Sequence, residues 1–292
     1  MTHTPFTCAA CGQTTSSQPC SSCGADPLLG GRYRLLEALG QRPSATTWQA
    51  LDTHSDTMVA IKELTWRPGD SQAQRRAQRE ARVLGELSHR DIPRLREHFL
   101  TRQGRHHALC IVADFVPGQT LQEEALSRRY SAAEVLDLME SLLGTLVYLH
   151  ERSPPIVHRD LKPANIIRHA DTGRLVLIDF SAVCDERADP DLGSMTASGT
   201  FGYMAPEQLQ GLAEARTDLY GLGALAVALL TRQEPHTLLD HTHRLQWEEH
   251  VALPPRVRGM LRKLLAPTPE QRYPSARAAR TSLRAVRSLF DG

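Results

Sequence analysis

The sequence has no charge imbalance: 34 Lys and Arg stand against 33 Asp and Glu, a formal net charge of +1. Recognition of nucleic acid or of an anionic membrane through overall charge is therefore not expected, because such binding needs a basic excess. Nor is there an apolar run long enough to cross a bilayer. The longest, Leu219 to Leu230, contains two glycines and falls short of the roughly 20 residues a span requires, so it reads as a buried core helix. No basic stretch followed by an apolar run opens the chain, so no signal peptide is expected and the expected location is cytoplasmic. Before Leu28 there is almost no large aliphatic residue, and before Arg32 no Lys or Arg at all. That segment can neither fold on a hydrophobic core nor grip a phosphate backbone.

What is present is an ordinary globular composition, 41% hydrophobic and 23% charged, over 292 residues. The length fits one large domain or two modest ones with a small appendage. Four of the six cysteines fall in the opening segment as two CxxCG turns, Cys8-Ala-Ala-Cys11-Gly and Cys20-Ser-Ser-Cys23-Gly. A tetrahedral Zn²⁺ wants four thiolates, and each such turn can present two sulfurs to one ion while its glycine relieves the tight backbone. Residues 1–27 thus resemble a small zinc ribbon with Cys8, Cys11, Cys20 and Cys23 as ligands, followed by a short linker at 28–31. Disulfides, a redox CxxC and an iron-sulfur site are the alternatives. A module so poor in apolar residues should fold only with its metal, and with no basic residue it suits a protein partner. Cys110, in an apolar strand, and Cys184 read as structural. The pairs and clusters at His106, His107, His241, His243 and His250 read as solvated.

From Arg32 onward, YRLLEALG, TTWQALD, TMVAIKELTW and HALCIVADFV are short β-branched or aromatic runs between turn residues, as in antiparallel strands. Among them residues 71–87 read as one amphipathic helix with Val83, Leu84 and Leu87 on one side. After Pro117-Gly118 the pattern turns helical. Ser131 and Glu134 form a capping box ahead of Val135, Leu138, Leu142 and Leu146, and helices are also expected over 257–265 and 276–290. A strand-rich part followed by a helical part leaves a cleft at their junction, where ligands commonly bind.

Four motifs occur in order along the chain: VAIK ending at Lys62, HRDLKPANI from His158, LIDFS ending at Ser181, and GTFGYMAPE ending at Glu207. Together they resemble the signature set of the protein kinase family over about residues 32–289. The resemblance implies an α+β, two-lobed fold: a small antiparallel β lobe with one helix at about 32–116 and a larger helical lobe at about 117–289. It implies an ATP-dependent protein-serine/threonine kinase using Mg²⁺ or Mn²⁺, acting on Ser or Thr hydroxyls of protein substrates. Phosphoryl transfer needs a cation on the triphosphate, oxygens for metal and a base. By the resemblance Lys62 holds phosphates and Glu80 pairs with it, Glu86 being the other candidate on that helix. Asp160 is the base, Lys162 steadies the transferred group, and Asn165 and Asp179 hold the metal. The nucleotide lies against Leu39, Gly40, Thr47, Ala60, Ala113, Asp114, Val116 and Ile167. Glu207, Arg272 and Asp218 are implied to buttress this machinery.

The sequence also departs from the family pattern. The glycine-rich loop, GxGxxGxV in the family, reads GQRPSATT from Gly40 to Thr47, and DFG reads DFS with Ser181 in place of glycine. Arg42 and Pro43 change the loop that brings backbone N–H groups to phosphate, and Arg42 can offer a guanidinium or face solvent. A nucleotide-binding pseudokinase acting as scaffold is the alternative this leaves. Thr196, with Ser194 and Ser198, is a candidate phosphosite in the segment before Glu207, with Arg159 placed to pair with its phosphate.

Overall fold

Alternation along Thr57–Trp66 buries Val59 and Ile61 completely and turns Ala60 and Lys62 to the opposite face. The computed structural model describes residues 5–103, 106–185 and 199–287. The chain folds as two units, Met1–Ser88 with Pro93–Val116, and His89–Ile92 with Pro117–Gly292.

The first unit is a seven-stranded antiparallel sheet carrying one helix. Its strands are β1 (Phe6–Thr7), β2 (Thr14–Thr15), β3 (Tyr33–Arg42), β4 (Ala45–Asp52), β5 (Thr57–Trp66), β6 (Leu95–Gln103) and β7 (His106–Asp114), in the order β2-β1-β3-β4-β5-β7-β6. On one face Leu29, Tyr33, Leu35, Ala50, Val59, Ile61, Cys110 and Val112 form a core against which Ala9, Trp48 and Phe99 pack. Each fully buried aliphatic side chain there stabilises the unit by about 1.5–3 kcal/mol relative to exposure. On the other face α1 (Ser71–Glu86) buries Ala77, Glu80, Ala81, Val83 and Leu84, and Asp70 caps it by accepting from Ala73 N at 3.0 Å.

The cysteine segment is part of this sheet. Strand β1 pairs with β3 through Thr7 and Leu35, and the Arg34 guanidinium lies 4.8 Å from the Phe6 ring centre. Leu29, within the stretch expected as a linker, is 3% exposed. Just beyond it Arg32 clamps Asp52 with two hydrogen bonds, 2.7 and 2.6 Å, and reaches Glu97 at 2.9 Å, while the Tyr33 hydroxyl also donates to Glu97. The Arg32 hydrogen bonds hold the Asp52 carboxyl well below the usual carboxylate range.

The second unit is mainly helical, with α2 (Leu121–Ser127), α3 (Ala132–His150), α4 (Pro206–Leu209), α5 (Ala215–Thr231), α6 (Pro255–Leu264) and α7 (Ala276–Arg287). The expected capping box opens α3: Ser131 Oγ accepts from Glu134 N at 3.2 Å, and the Glu134 carboxylate accepts from Ser131 N at 2.8 Å. Val135, Leu138, Leu142 and Leu146 are all buried. The apolar run of the sequence is α5, buried nearly throughout. A β-carbon on its Gly221 would lie 3.2 Å from Leu161 Cβ, so glycine lets this helix approach the HRDLKPAN segment closely. Strands β8 (Gly118–Thr120), β10 (Ile166–His169) and β11 (Leu175–Leu177) form a small sheet, and β9 (Ile156–Val157) pairs with β12 (Cys184–Asp185). Among the described residues, no helix is long and apolar enough to cross a membrane. The architecture is the α+β arrangement expected: an antiparallel sheet with one helix, and a helical unit.

Candidate active site

Strand register and helix phase place the first cation. Thr47 stands opposite Lys62, Gly40 opposite Thr47, and Ala60 opposite Ala113. Cross-strand partners share a face, so Gly40, Thr47, Ala60, Lys62 and Ala113 line the α1 side of the sheet. There Lys62 Nζ donates to Glu80 Oε1 at 2.6 Å, with the carboxylate side chain 7% exposed. Glu86, the alternative partner, is exposed. Leu39 is half exposed, Asp114 is held at the end of β7 by Arg96 Nε at 2.7 Å, and Val116 follows that strand half-buried.

In the second unit the HRDLKPAN residues converge on one carboxylate. Asp160, 5% exposed, accepts at Oδ2 from Lys162 Nζ (2.8 Å) and Asn165 Nδ2 (3.0 Å), and at Oδ1 from the Thr200 hydroxyl (2.8 Å). Lys162 Nζ also donates to Thr200 Oγ1 at 2.5 Å. Asn165 Nδ2 additionally donates to the Asp160 carbonyl at 2.8 Å, so both its hydrogens go to Asp160 and its oxygen is the atom it can offer a cation. Asp179 sits at φ 64°, a left-handed conformation. Within DFS the unusual backbone is therefore carried by Asp179 rather than by Ser181, whose N–H turns back to Asp179 Oδ1 at 3.3 Å. Phe180 is buried with its ring edge-on to His158, centres 5.1 Å apart, and Ile178 N donates to Asn165 O at 2.9 Å, which ties the DFS segment to the loop of Asp160. Ile167 lies on β10, opposite Val176 and Thr120.

Two supports hold this loop, and a third anchors the short helix that carries Gln208. Asp218, fully buried on α5, accepts from the backbone N–H groups of His158 (2.9 Å) and Arg159 (2.8 Å) and from His150 Nε2 at 2.9 Å. Burial opposes its charge, yet the His150 bond and these neighbours hold the carboxyl below its ordinary value. Gln208 Nε2 donates to the Arg159 carbonyl at 2.6 Å. Arg272 meets Glu207 with two hydrogen bonds, 2.6 and 2.8 Å, and Thr217 Oγ1 adds a third to the same carboxylate at 2.8 Å. Thr200, which with Lys162 carries the resemblance to the serine/threonine-specific branch, does meet Lys162 and Asp160, whereas the contacts of His150 and Gln208 are not legible in the sequence: His150 reaches Asp218 across 68 positions, and no local pattern announces it. The candidate phosphosites Ser194, Thr196 and Ser198 lie outside the described residues.

The four cysteines form a second candidate centre in the first unit. Cys8 and Cys23 sulfurs lie 3.9 Å apart, Cys11 and Cys20 likewise, and all four fall within 4.8 Å of one another. A tetrahedron of metal–sulfur bonds of about 2.3 Å has edges of about 3.8 Å, so the separations fit a tetrahedral ion. Each turn closes on its glycine, with Gly12 N donating to Cys8 O and Gly24 N to Cys20 O, at φ 73° and 71°. The backbone N–H groups of Cys23 and Ser22 bring the Cys20 thiol down to about 6. The Gln13 N–H favours the Cys11 thiolate, but burial and the other three sulfurs outweigh it and push that thiol up to about 12. Four crowded sulfurs, with Cys20 favoured as the thiolate, are a donor set that suits a dication. Cys110 is buried and its thiol is pushed up by that burial, whereas His106, His241, His243 and His250 are exposed. His107 departs from the solvated reading: it lies half-buried on β7, where pairing with Trp66 brings the two rings into a stack with centres 6.3 Å apart.

Residues 33–283 match the family described as protein kinase domain. The chain is 31% identical over 278 residues to serine/threonine-protein kinase B of Synechocystis sp., covering 89% of this chain and 47% of that protein. It is 33% identical over 276 residues to serine/threonine-protein kinase C of the same organism, covering 88% and 50%. Serine/threonine-protein kinase PknL of Mycobacterium tuberculosis is 32% identical over 213 residues, covering 72% of this chain and 52% of that protein. The chain spans about half the length of these curated relatives.

Proposed function

The chain belongs to the protein kinase domain family, and from that premise we propose that it is a serine/threonine protein kinase, transferring the γ-phosphoryl group of ATP to Ser or Thr hydroxyls of proteins. The observation that carries this reading is the Asp160 carboxylate, bonded at once to Lys162, Asn165 and Thr200. Asp160 is the group that orients the acceptor hydroxyl and takes its proton. Lys162, held between Asp160 and Thr200, sits where it can balance negative charge on the group in transit. Lys62, aimed by Glu80, holds phosphate oxygens. ATP supplies the phosphoryl group, and a divalent cation, Mg²⁺ or Mn²⁺, supplies charge neutralisation on its phosphates. Asn165 Oδ1 and the Asp179 carboxylate are the oxygens this chain offers to that cation.

The cysteine centre is proposed to hold one Zn²⁺ through Cys8, Cys11, Cys20 and Cys23. Its part is structural: the surface it covers belongs to the same chain, where β1 adds to β3 and Ala9 packs on the sheet core.

The test is ATP-dependent phosphate incorporation with Mg²⁺, read by intact mass on the full chain beside Asp160→Asn, with a generic Ser/Thr protein substrate. Phosphate gain or substrate labelling in the wild type alone supports the kinase reading, and fragment mapping then locates acceptors, with Thr196, Ser194 and Ser198 as the proposed sites. Nucleotide binding without transfer in either protein overturns it in favour of the scaffold alternative.

A further inference from the structure

The loop that usually brings backbone N–H groups to nucleotide phosphates is here a hairpin with a two-residue turn. Strand β3 runs to Arg42, β4 begins at Ala45, and Arg42 pairs directly with Ala45 across Pro43-Ser44. Pro43 has no N–H to offer. The turn is also tied back to the sheet, because Thr65 N donates to the Ser44 carbonyl at 2.9 Å. A hairpin tip fixed in this way, short of one amide and lacking the second and third glycines, is a poor cradle of backbone donors.

Register places a side chain where those donors are missing. Arg42 stands opposite Ala45, and Ala45 opposite Leu64, two residues beyond Lys62 on β5. Since partners across an antiparallel ladder share a face, Arg42 projects from the same face as Gly40, Thr47 and Lys62, one two-residue step of about 7 Å along the strands. The Lys62 ammonium on that face is already matched by Glu80 at 2.6 Å. By register Arg42 adds a second cation toward the hairpin end of the row, and its planar guanidinium has the N–H geometry for bidentate contact with phosphate.

We infer that Arg42 is a phosphate-binding residue of this chain, its guanidinium replacing the backbone contacts that Pro43 and the lost glycines no longer make. The inference rests on the kinase reading and can fail separately from it. The experiment is calorimetric titration of the full chain with ATP, ADP and adenosine in Mg²⁺, for wild type, Arg42→Gln and Arg42→Lys. Arg42→Gln is expected to weaken ATP and ADP by about ten- to hundredfold, the scale of a charge-assisted hydrogen bond, with adenosine affinity unchanged. Arg42→Lys keeps the charge without the fork and retains part of the affinity. Retained adenosine binding shows that the variant is folded. Equal ATP affinity in wild type and Arg42→Gln overturns the inference and leaves the kinase reading standing. A parallel loss of ATP and adenosine also overturns it, since a change of loop shape then accounts for the effect. A wild-type chain that binds no ATP overturns both.

Discussion

Thr200 gives its hydroxyl proton to Oδ1 of Asp160 at 2.8 Å, on the opposite carboxylate oxygen from Lys162 and Asn165. The carboxylate is thereby fixed from both ends, which on the proposed kinase reading sets its orientation in advance of an acceptor hydroxyl. Thr200→Ala is expected to lower kcat by about tenfold or more with KM for ATP unchanged, while Thr200→Ser keeps the bond and most of the rate. Steady-state kinetics on the three proteins checks this; a change confined to KM for ATP would contradict the assigned geometry.

Lys62, half-buried, and Glu80, buried, form an ion pair at 2.6 Å in which each charge answers the other. Glu80→Ala is expected to destabilise the chain by about 1–3 kcal/mol and to weaken ATP binding, because the ammonium is no longer aimed. The exposed Glu86 serves as control, with Glu86→Ala within about 0.5 kcal/mol of wild type in denaturant unfolding.

Arg272 is almost completely buried against Glu207, and its N–H groups also meet the carbonyls of Arg216 and Ala266. Removing the guanidinium leaves the Glu207 carboxylate with the Thr217 hydroxyl but without a counter-charge, and strands several backbone oxygens. Arg272→Ala should lower Tm by on the order of 10 °C, and Arg272→Lys should recover little, since an ammonium cannot reproduce the fork. Differential scanning calorimetry distinguishes this from a surface ion pair such as Arg277–Glu151, whose loss should shift Tm by about 1 °C or less in line with its exposure.

Asp218 gives an acid limb to stability. Its folded value lies below the ordinary 3.8, so its contribution is in place above that value and is lost as pH falls through the folded one. Unfolding free energy measured between about pH 5 and 3 should therefore fall more steeply in wild type than in Asp218→Asn. Identical slopes would mean that the carboxylate is not preferentially charged in the folded chain.

The cysteine centre predicts about one Zn²⁺ per chain by elemental analysis, lost in Cys8→Ser/Cys11→Ser. Because the segment is joined to β3, metal removal by a chelator should also lower Tm of the first unit rather than merely release an independent appendage. A full loss of metal with an unchanged Tm would contradict that coupling.

Much of this is legible in the residues. Strands β3, β4, β5 and β7 follow from alternation because one face of each is buried, and α3 follows from the Ser131–Glu134 capping box and the spacing of Val135, Leu138, Leu142 and Leu146. Glu80 is separable from Glu86 by its place in the motif, and helix phase agrees: Glu80 shares the buried stripe of Ala77, Ala81 and Leu84. Strand β6 leaves a weaker trace. It is an edge strand in which charged and polar residues alternate loosely with Leu95 and Phe99, and Leu100 is largely exposed, so its apolar pattern does not announce it. The pairing of Thr7 with Leu35 is equally hidden, because register between distant strands is set by tertiary packing and leaves no periodicity in either segment.

That pairing has a consequence for any shortened form of the protein. A chain beginning at Arg32 would retain every motif of the catalytic machinery, yet it would strip the outer edge of β3 of its neighbour and uncover the side of the core on which Leu29 and Ala9 rest. Such an edge, with free N–H and C=O groups beside Tyr33 and Leu35, is a template for self-association between copies. The cysteine segment thus adds a neighbour to β3 at Leu35 and packs Ala9 on the sheet core, so its removal should be read by the association state of the shortened chain as well as by its stability.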